Sequence, residues 1–290
     1  MEVGIIGLGI MGGTMARNLL VEEVEVIGYD PSAEASERLA LAGGGVASSI
    51  AEVTARAPVV ITSVATTTAF REVMEAIAVS SSAGVIVLDA STMPLEEKEW
   101  AYELLEAAGI VLLDCPISGT GAQAETRDLV FLASGDSQAI VTVTPILEML
   151  GRAVFDLGAF GSGSKMKFVA NLLVGIHNAA AAEAMVLAEK AGIEPKLVLE
   201  VLVDSAATSR MFQLRFPLMI ENRYSPPTAK VSMFVKDLDI ISSYAASVES
   251  PTPLLDVVAG LYHQANEAGM ENLDAAAVCA VLEVRAGITR

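Results

Sequence analysis

Lys165, Lys167 and Asn171 stand in GSGSKMKFVANLL, at the mouth of a long apolar run. A lysine amine exchanges protons with a hydroxyl when burial or a neighbouring charge brings its pKa toward the working pH. If the stretch is helical, a turn of about 100° per residue sets Lys165 and Lys167 about 200° apart, so they cannot share a face. Lys167 and Asn171, four residues apart, are neighbours on one side. An amine and an amide placed so can together hold a hydroxyl. The alternative is an ordinary solvated helix edge, and Lys165 keeps that reading.

A second constellation is Gly7, Gly9 and Gly12, spaced G-x-G-x-x-G with Leu8, Ile10 and Met11 between them, after the apolar run VGII and before a helical pattern. Such glycines permit a tight turn, a close approach to a pyrophosphate and close helix–strand packing, and the helix N-terminus then meets the negative charge. Asp30 ends the next apolar run, VEVIGYD, where a carboxylate accepts from an adenosine ribose and repels a 2′-phosphate. NAD is therefore expected over NADP. Asp30 as a cap for a helix beginning at Pro31 is the alternative. Ser118 and Gly119 follow the apolar run at 112–116, where a hydroxyl and backbone N–H groups can bind a carboxylate or form a simple turn.

The elements that position these residues follow from periodicity. Short apolar runs (VGII, VEVIGYD, PVVITSV, VIVLDA, IVLLDCP, LVFLASG, AVFDLG) alternate with amphipathic segments up to residue 160, giving seven or eight strands of a parallel sheet. Beyond Phe160 the segments are long, rich in Ala, Leu and Glu, and helical in period, broken near 191–195, 222–227 and 249–253. The expected fold is α/β: a Rossmann-type dinucleotide-binding domain at 1–160, then an all-helical domain at 161–290.

The 290 residues carry a net charge of −18, which repels nucleic acid and anionic lipid, so neither is an expected partner. Two cysteines, Cys115 and Cys279, fit a reducing compartment, read here as the cytoplasm. The start MEVGIIGLGIMGG lacks a basic flank and is interrupted by glycines, unlike a secretory signal. The apolar stretch 172–188 is interrupted by His177, Asn178 and Glu183 and is expected to be a buried helix rather than a membrane span. His177 lies off the Lys167 face and reads as packed or interfacial, whereas Asn178, on that face, is about 16 Å along the helix. No His, Cys, Asp or Glu cluster has metal-ligand spacing, and no metal is expected.

Four ordered motifs spanning the chain resemble those of the β-hydroxyacid dehydrogenases: GLGIMGGTMARNL at 7–19, DCPISGT at 114–120, GSGSKMKFVAN at 161–171 and FVKDLDI at 234–240. The resemblance implies hydride transfer between NAD(P) and a small β-hydroxy acid or sugar acid. The active site would lie in the cleft between a Rossmann-type domain and a helical domain that also builds the dimer, in a homodimer or homotetramer. By motif, Lys167 corresponds to the catalytic lysine, Asn171 to its partner, and Ser118, Gly119 and Thr120 to the substrate loop. Lys236 would reach substrate or nicotinamide, with a surface ion pair to Asp237 or Asp239 as the alternative. Val64, Ala65, Ser91 and Thr92 would line the cofactor. The stretches 175–193, TSRMF and FVKDL are most similar to the L-threonate dehydrogenase branch, and Arg210 there could meet a carboxylate or phosphate. Thr120 stands where the family has a second glycine, and RDL at 127–129 replaces its G-T-L. An imine reductase-like enzyme and a non-catalytic dinucleotide-binding scaffold are the competing readings, and relatives of both kinds generally lack the lysine.

Overall fold

Residues 2–289 are described by a computed structural model in which the chain divides into two compact units, one running to Lys167 and one starting at Phe168. In the first unit, β1 (Val3–Ile6), β2 (Val26–Tyr29), β3 (Gly45–Val46), β4 (Val59–Thr62), β5 (Ile86–Asp89) and β6 (Val111–Asp114) pair in the order β3-β2-β1-β4-β5-β6, all parallel. This is the Rossmann-type sheet, and its strands are mostly apolar because helices cover both faces, with Thr62, Asp89 and Asp114 the polar residues ending β4, β5 and β6.

Alternate residues of each strand feed two separate cores, as the two-residue period of a strand requires. Val3, Ile5, Ile61, Leu88 and Leu113 pack with Met15 and Leu19 of α1 (Ile10–Val21), Leu39 of α2 (Ala33–Leu41), and a third layer described below. Ile6, Val60, Val87 and Leu112 face the other way, against Val53 of α3 (Ile50–Arg56), Phe70 and Met74 of α4 (Thr67–Ser80), and Leu105 of α5 (Leu95–Ala107). Each such side chain contributes about 1.5–3 kcal/mol when fully buried.

A three-stranded sheet follows, in the order β7 (Ile117–Ser118), β8 (Val130–Ala133), β9 (Ala153–Asp156), with β7 antiparallel to β8 and β8 parallel to β9. The short α6 (Gly121–Glu125) and α7 (Ser137–Leu150) lie between these strands and close the first core. Among the described residues nine strands thus precede residue 160, not seven or eight. The two additional ones, β3 and β7, have two residues each, too few for a period to register.

Helix α8 (Ser162–Lys190) begins in the first unit and continues into the second, which holds α9 (Pro195–Leu202), α10 (Arg210–Ile220), α11 (Val231–Ser247), α12 (Pro253–Ala265) and α13 (Val278–Ala286). Chain breaks fall at the three expected places, and a further one at 203–209 ends with Ser209 capping α10 through the amide of Phe212. Inside this unit Arg215 and Asp274 form a buried ion pair at 2.7 Å, and Asp274 also accepts from the Thr228 amide at 2.8 Å and the Ala276 amide at 3.0 Å.

The 29 residues of α8 correct one expectation: only a third of its most apolar 18-residue window is buried, and by length and composition alone it could cross a membrane. His177, Asn178 and Glu183 do not interrupt it enough to prevent that. Val169, Leu173 and Leu187 are exposed on it.

Candidate active site

The glycine turn leaves β1 with the Gly7 amide donating to the Tyr29 carbonyl at 2.9 Å and the Leu8 amide donating to Asp30 Oδ2 at 2.7 Å. A Cβ on Gly12 would stand 1.9 Å from the Gly7 carbonyl oxygen, so α1 can approach the strand only without a side chain there. A Cβ on Gly9 would meet nothing within 4 Å. Gly9 is also the N-cap of α1, with no side-chain cap and no acidic residue in the first turn. The helix start therefore lacks a side-chain cap and carries a positive dipole end, and with room at Gly9 the turn fits a pyrophosphate. Ile10 is exposed and Met11 half-buried at its edge.

Asp30 is held twice, its Oδ1 accepting from the Ser32 amide at 2.8 Å while Oδ2 holds Leu8. The helix after it begins at Ala33, with Ser32 as the cap, so the alternative of Asp30 capping a helix from Pro31 is corrected. Beyond β4, Val64 is half-buried and Ala65 exposed. The Val64 amide donates to Ser91 Oγ at 3.0 Å, and Ser91 Oγ donates to Asp89 Oδ1 at 2.8 Å. Ser91 is thus turned inward as a spacer, while its neighbour Thr92 is half-buried.

Lys165 is exposed and Lys167 is buried at 8% exposure, so the two point apart as the 100° spacing requires. Lys167 Nζ donates to the Ile117 carbonyl at 2.6 Å. That carbonyl immediately precedes Ser118, so the first unit brings the amine against the Ser118–Gly119 segment. Ser118 is in β7, paired with Val130, rather than in a simple turn. The Thr120 amide donates to Gln123 Oε1 at 3.1 Å, and Gln123 is itself held by Asp128 at 3.0 Å. Cys115 is buried beside this strand, and burial pushes its thiol up, so it is packing rather than a nucleophile.

In the second unit Asn171 Nδ2 donates to Asp237 Oδ2 at 2.9 Å, and Lys236 Nζ lies 3.1 Å from Asp237 Oδ1. The ion pair held open as the alternative for Lys236 is therefore present. Asp237, considered in the sequence only as that partner, also holds Asn171. No local signal could reveal this, because 66 residues separate the two. Arg210 is exposed at the start of α10, and His177 is half-buried. Asn178 is buried and donates to the Tyr262 hydroxyl at 3.1 Å, a structural use. Among the described residues no group of three His, Cys, Asp or Glu side chains could hold a metal.

Two family models match: the NAD binding domain of 6-phosphogluconate dehydrogenase over residues 2–158, and the NAD-binding segment of NADP-dependent 3-hydroxyisobutyrate dehydrogenase over 161–282. An L-threonate dehydrogenase of Cupriavidus necator is 34% identical over 96% of this chain and 94% of its own length. A glyoxylate/succinic semialdehyde reductase of Arabidopsis thaliana is 29% identical over 97% of this chain and 79% of its own. The crystal structure of 3-hydroxyisobutyrate dehydrogenase from Salmonella typhimurium superposes with a TM-score of 0.89 at 31% identity, covering 97% of this chain and 99% of that one.

Proposed function

Because the chain belongs to the β-hydroxyacid dehydrogenase family and is an NAD(P)-dependent oxidoreductase, we propose that its substrate is a small hydroxy acid of the threonate, glycerate or 3-hydroxyisobutyrate type. One observation carries this reading: Lys167, buried, with its amine 2.6 Å from the carbonyl that precedes Ser118. Bound NAD supplies the hydride acceptor. Lys167, as the neutral amine, takes the hydroxyl proton during oxidation, and as the ammonium returns it to the carbonyl oxygen in reduction. Asn171, one turn further along α8, directs the hydroxyl while Asp237 holds its amide group. The Ser118 hydroxyl and the Gly119 amide receive the carboxylate, and Thr120, with its amide already committed to Gln123, shapes the pocket instead. Lys236 adds positive charge toward the substrate or the nicotinamide.

Gly7, Leu8, Gly9, Ile10, Met11 and Gly12 form the pyrophosphate cradle, Asp30 meets the adenosine ribose, and Val64, Ala65 and Thr92 lie along the nicotinamide half. Residues 1–160 then serve as the cofactor domain and 161–290 as the substrate and dimerisation domain. The assay is a panel of L-threonate, glycerate, 3-hydroxyisobutyrate and 3-hydroxypropionate with NAD and with NADP. Turnover of at least one acid, faster with NAD, is expected. No turnover on any of them removes the hydroxy-acid reading, and a preference for NADP removes the role given to Asp30.

The uncovered Val169, Leu173 and Leu187 on α8 support a homodimer or homotetramer built through this helix. Light scattering is expected to give a multiple of the chain mass, and a stable monomer would exclude it. Cys115 and Cys279, both buried and joined in no disulfide, support a reducing, cytoplasmic setting.

A further inference from the structure

Lys98 is fully buried in the first unit, although it sits in the acidic segment LEEKEWAYELLEA. Its Nζ bonds Asp89 Oδ2 and, at 3.0 Å, Asp114 Oδ1, both carboxylates being fully buried as well. Thr62, Asp89 and Asp114 are register partners at the carboxyl ends of β4, β5 and β6, so one polar row crosses three strands. Every carboxylate oxygen in it is used. Asp89 Oδ1 accepts from Thr62 Oγ1 at 2.6 Å and from Ser91 Oγ at 2.8 Å, and Ser91 in turn holds the Val64 amide. Asp114 Oδ2 accepts from the Ser164 amide at 2.7 Å, and Oδ1 from the Ser164 hydroxyl at 2.8 Å. The Gly163 amide donates to Ser134 Oγ, which donates to the Asp114 main-chain carbonyl. A Cβ on Gly163 would lie 2.3 Å from the Leu132 carbonyl oxygen, so the first turn of α8 is seated against the sheet with no slack.

Burial pulls the Lys98 ammonium toward neutrality, but Asp89 and Asp114 outweigh it and leave its pKa raised, so the lysine stays charged. Well-packed apolar residues often replace such buried ion groups with no loss of stability, so stability alone is a weak reason for the charges. Its geometry offers a different one. Asp89 leads to the turn that bears Val64, and Asp114 leads to the helix turn immediately before Lys167.

We propose that Lys98 is a positioning residue, a crossbar that through Asp89 fixes the Ser91–Val64 turn against the cofactor and through Asp114 and Ser164 fixes the Lys167 amine against the Ser118 segment. The inference rests on Lys167 being the acid/base. The two arms predict a split. Ser164→Ala removes one bond on the Lys167 arm and is expected to lower kcat about tenfold with the Kd for NAD unchanged. Ser91→Ala cuts the other arm and is expected to weaken NAD about tenfold while changing kcat by less than about twofold. Lys98→Met loses both, with kcat down roughly 100-fold, the scale set by a small misplacement of a reacting group.

A purely structural triad would lower the melting temperature of all three variants and leave the kcat and Kd of the folded enzyme as in the wild type. That result overturns the proposal. If Lys98→Met does not fold, the Ser164→Ala and Ser91→Ala pair decides the matter. Lys167→Ala distinguishes the two levels. If it is inactive while the split is absent, the crossbar alone has failed. If it keeps its activity, the acid/base reading has failed and the crossbar with it.

Discussion

Lys167→Ala is expected to lower kcat by roughly 10³-fold, within the 10²–10⁴ that a positioned general acid or base contributes. The Kd for NAD should stay at the wild-type value, because the proposed cofactor contacts are those of the glycine turn and Asp30. The exposed Lys165 is the internal control: Lys165→Ala should retain kcat within about twofold, since it lies on the opposite side of the helix. Truncation also leaves a space beside the Ile117 carbonyl, so a small primary amine added to Lys167→Ala should recover part of the lost rate. A Lys167→Ala enzyme within about threefold of wild type would remove the proposed chemistry.

Asp274→Asn is expected to destabilise the helical unit by about 3–5 kcal/mol, since it leaves the Arg215 guanidinium buried without its countercharge. The loss is wider than one ion pair. Asp274 also accepts from the Thr228 hydroxyl and amide and caps the short turn at Ala275–Ala277, and an asparagine presents one acceptor oxygen where these donors use two. Chemical denaturation monitored by circular dichroism measures it. The double variant Arg215→Met with Asp274→Asn should recover much of the deficit, because the stranded charge is then gone. A single variant with wild-type stability would show that this network contributes little.

Much of the architecture was legible because it rests on local periodicity. VGII is apolar throughout, and VVIT and IVLD are apolar up to their last residue, because both sheet faces are covered, and the change to helical period after Phe160 places α8 within two residues. The contrast between Lys165 and Lys167 was legible for the same reason, since helix geometry alone separates them. What escaped depends on distance in the chain. Lys98 is surrounded by glutamates and reads as a solvated face, yet strand ends 9 residues before it and 16 after it fold over its amine. Asp237 reaches Asn171 only when α11 packs in the helical unit, and Ser118 becomes a strand residue only by pairing with Val130. The Thr120 amide looks available in sequence and is taken by a side chain three residues on.

The double hold on Asp30 bears on how cofactor preference can change. Its carboxylate, proposed to meet the adenosine ribose, is also the acceptor for the Leu8 amide inside the glycine turn. A neutral residue that welcomed a 2′-phosphate would leave that amide searching for another acceptor, at a cost of about 1–3 kcal/mol if none is found. The carboxylate proposed to set cofactor preference thus also holds the loop together. An exchange of Asp30 for a residue with no acceptor oxygen is expected to lower stability as well as shift cofactor preference, and a residue that keeps an acceptor there is expected to limit the loss.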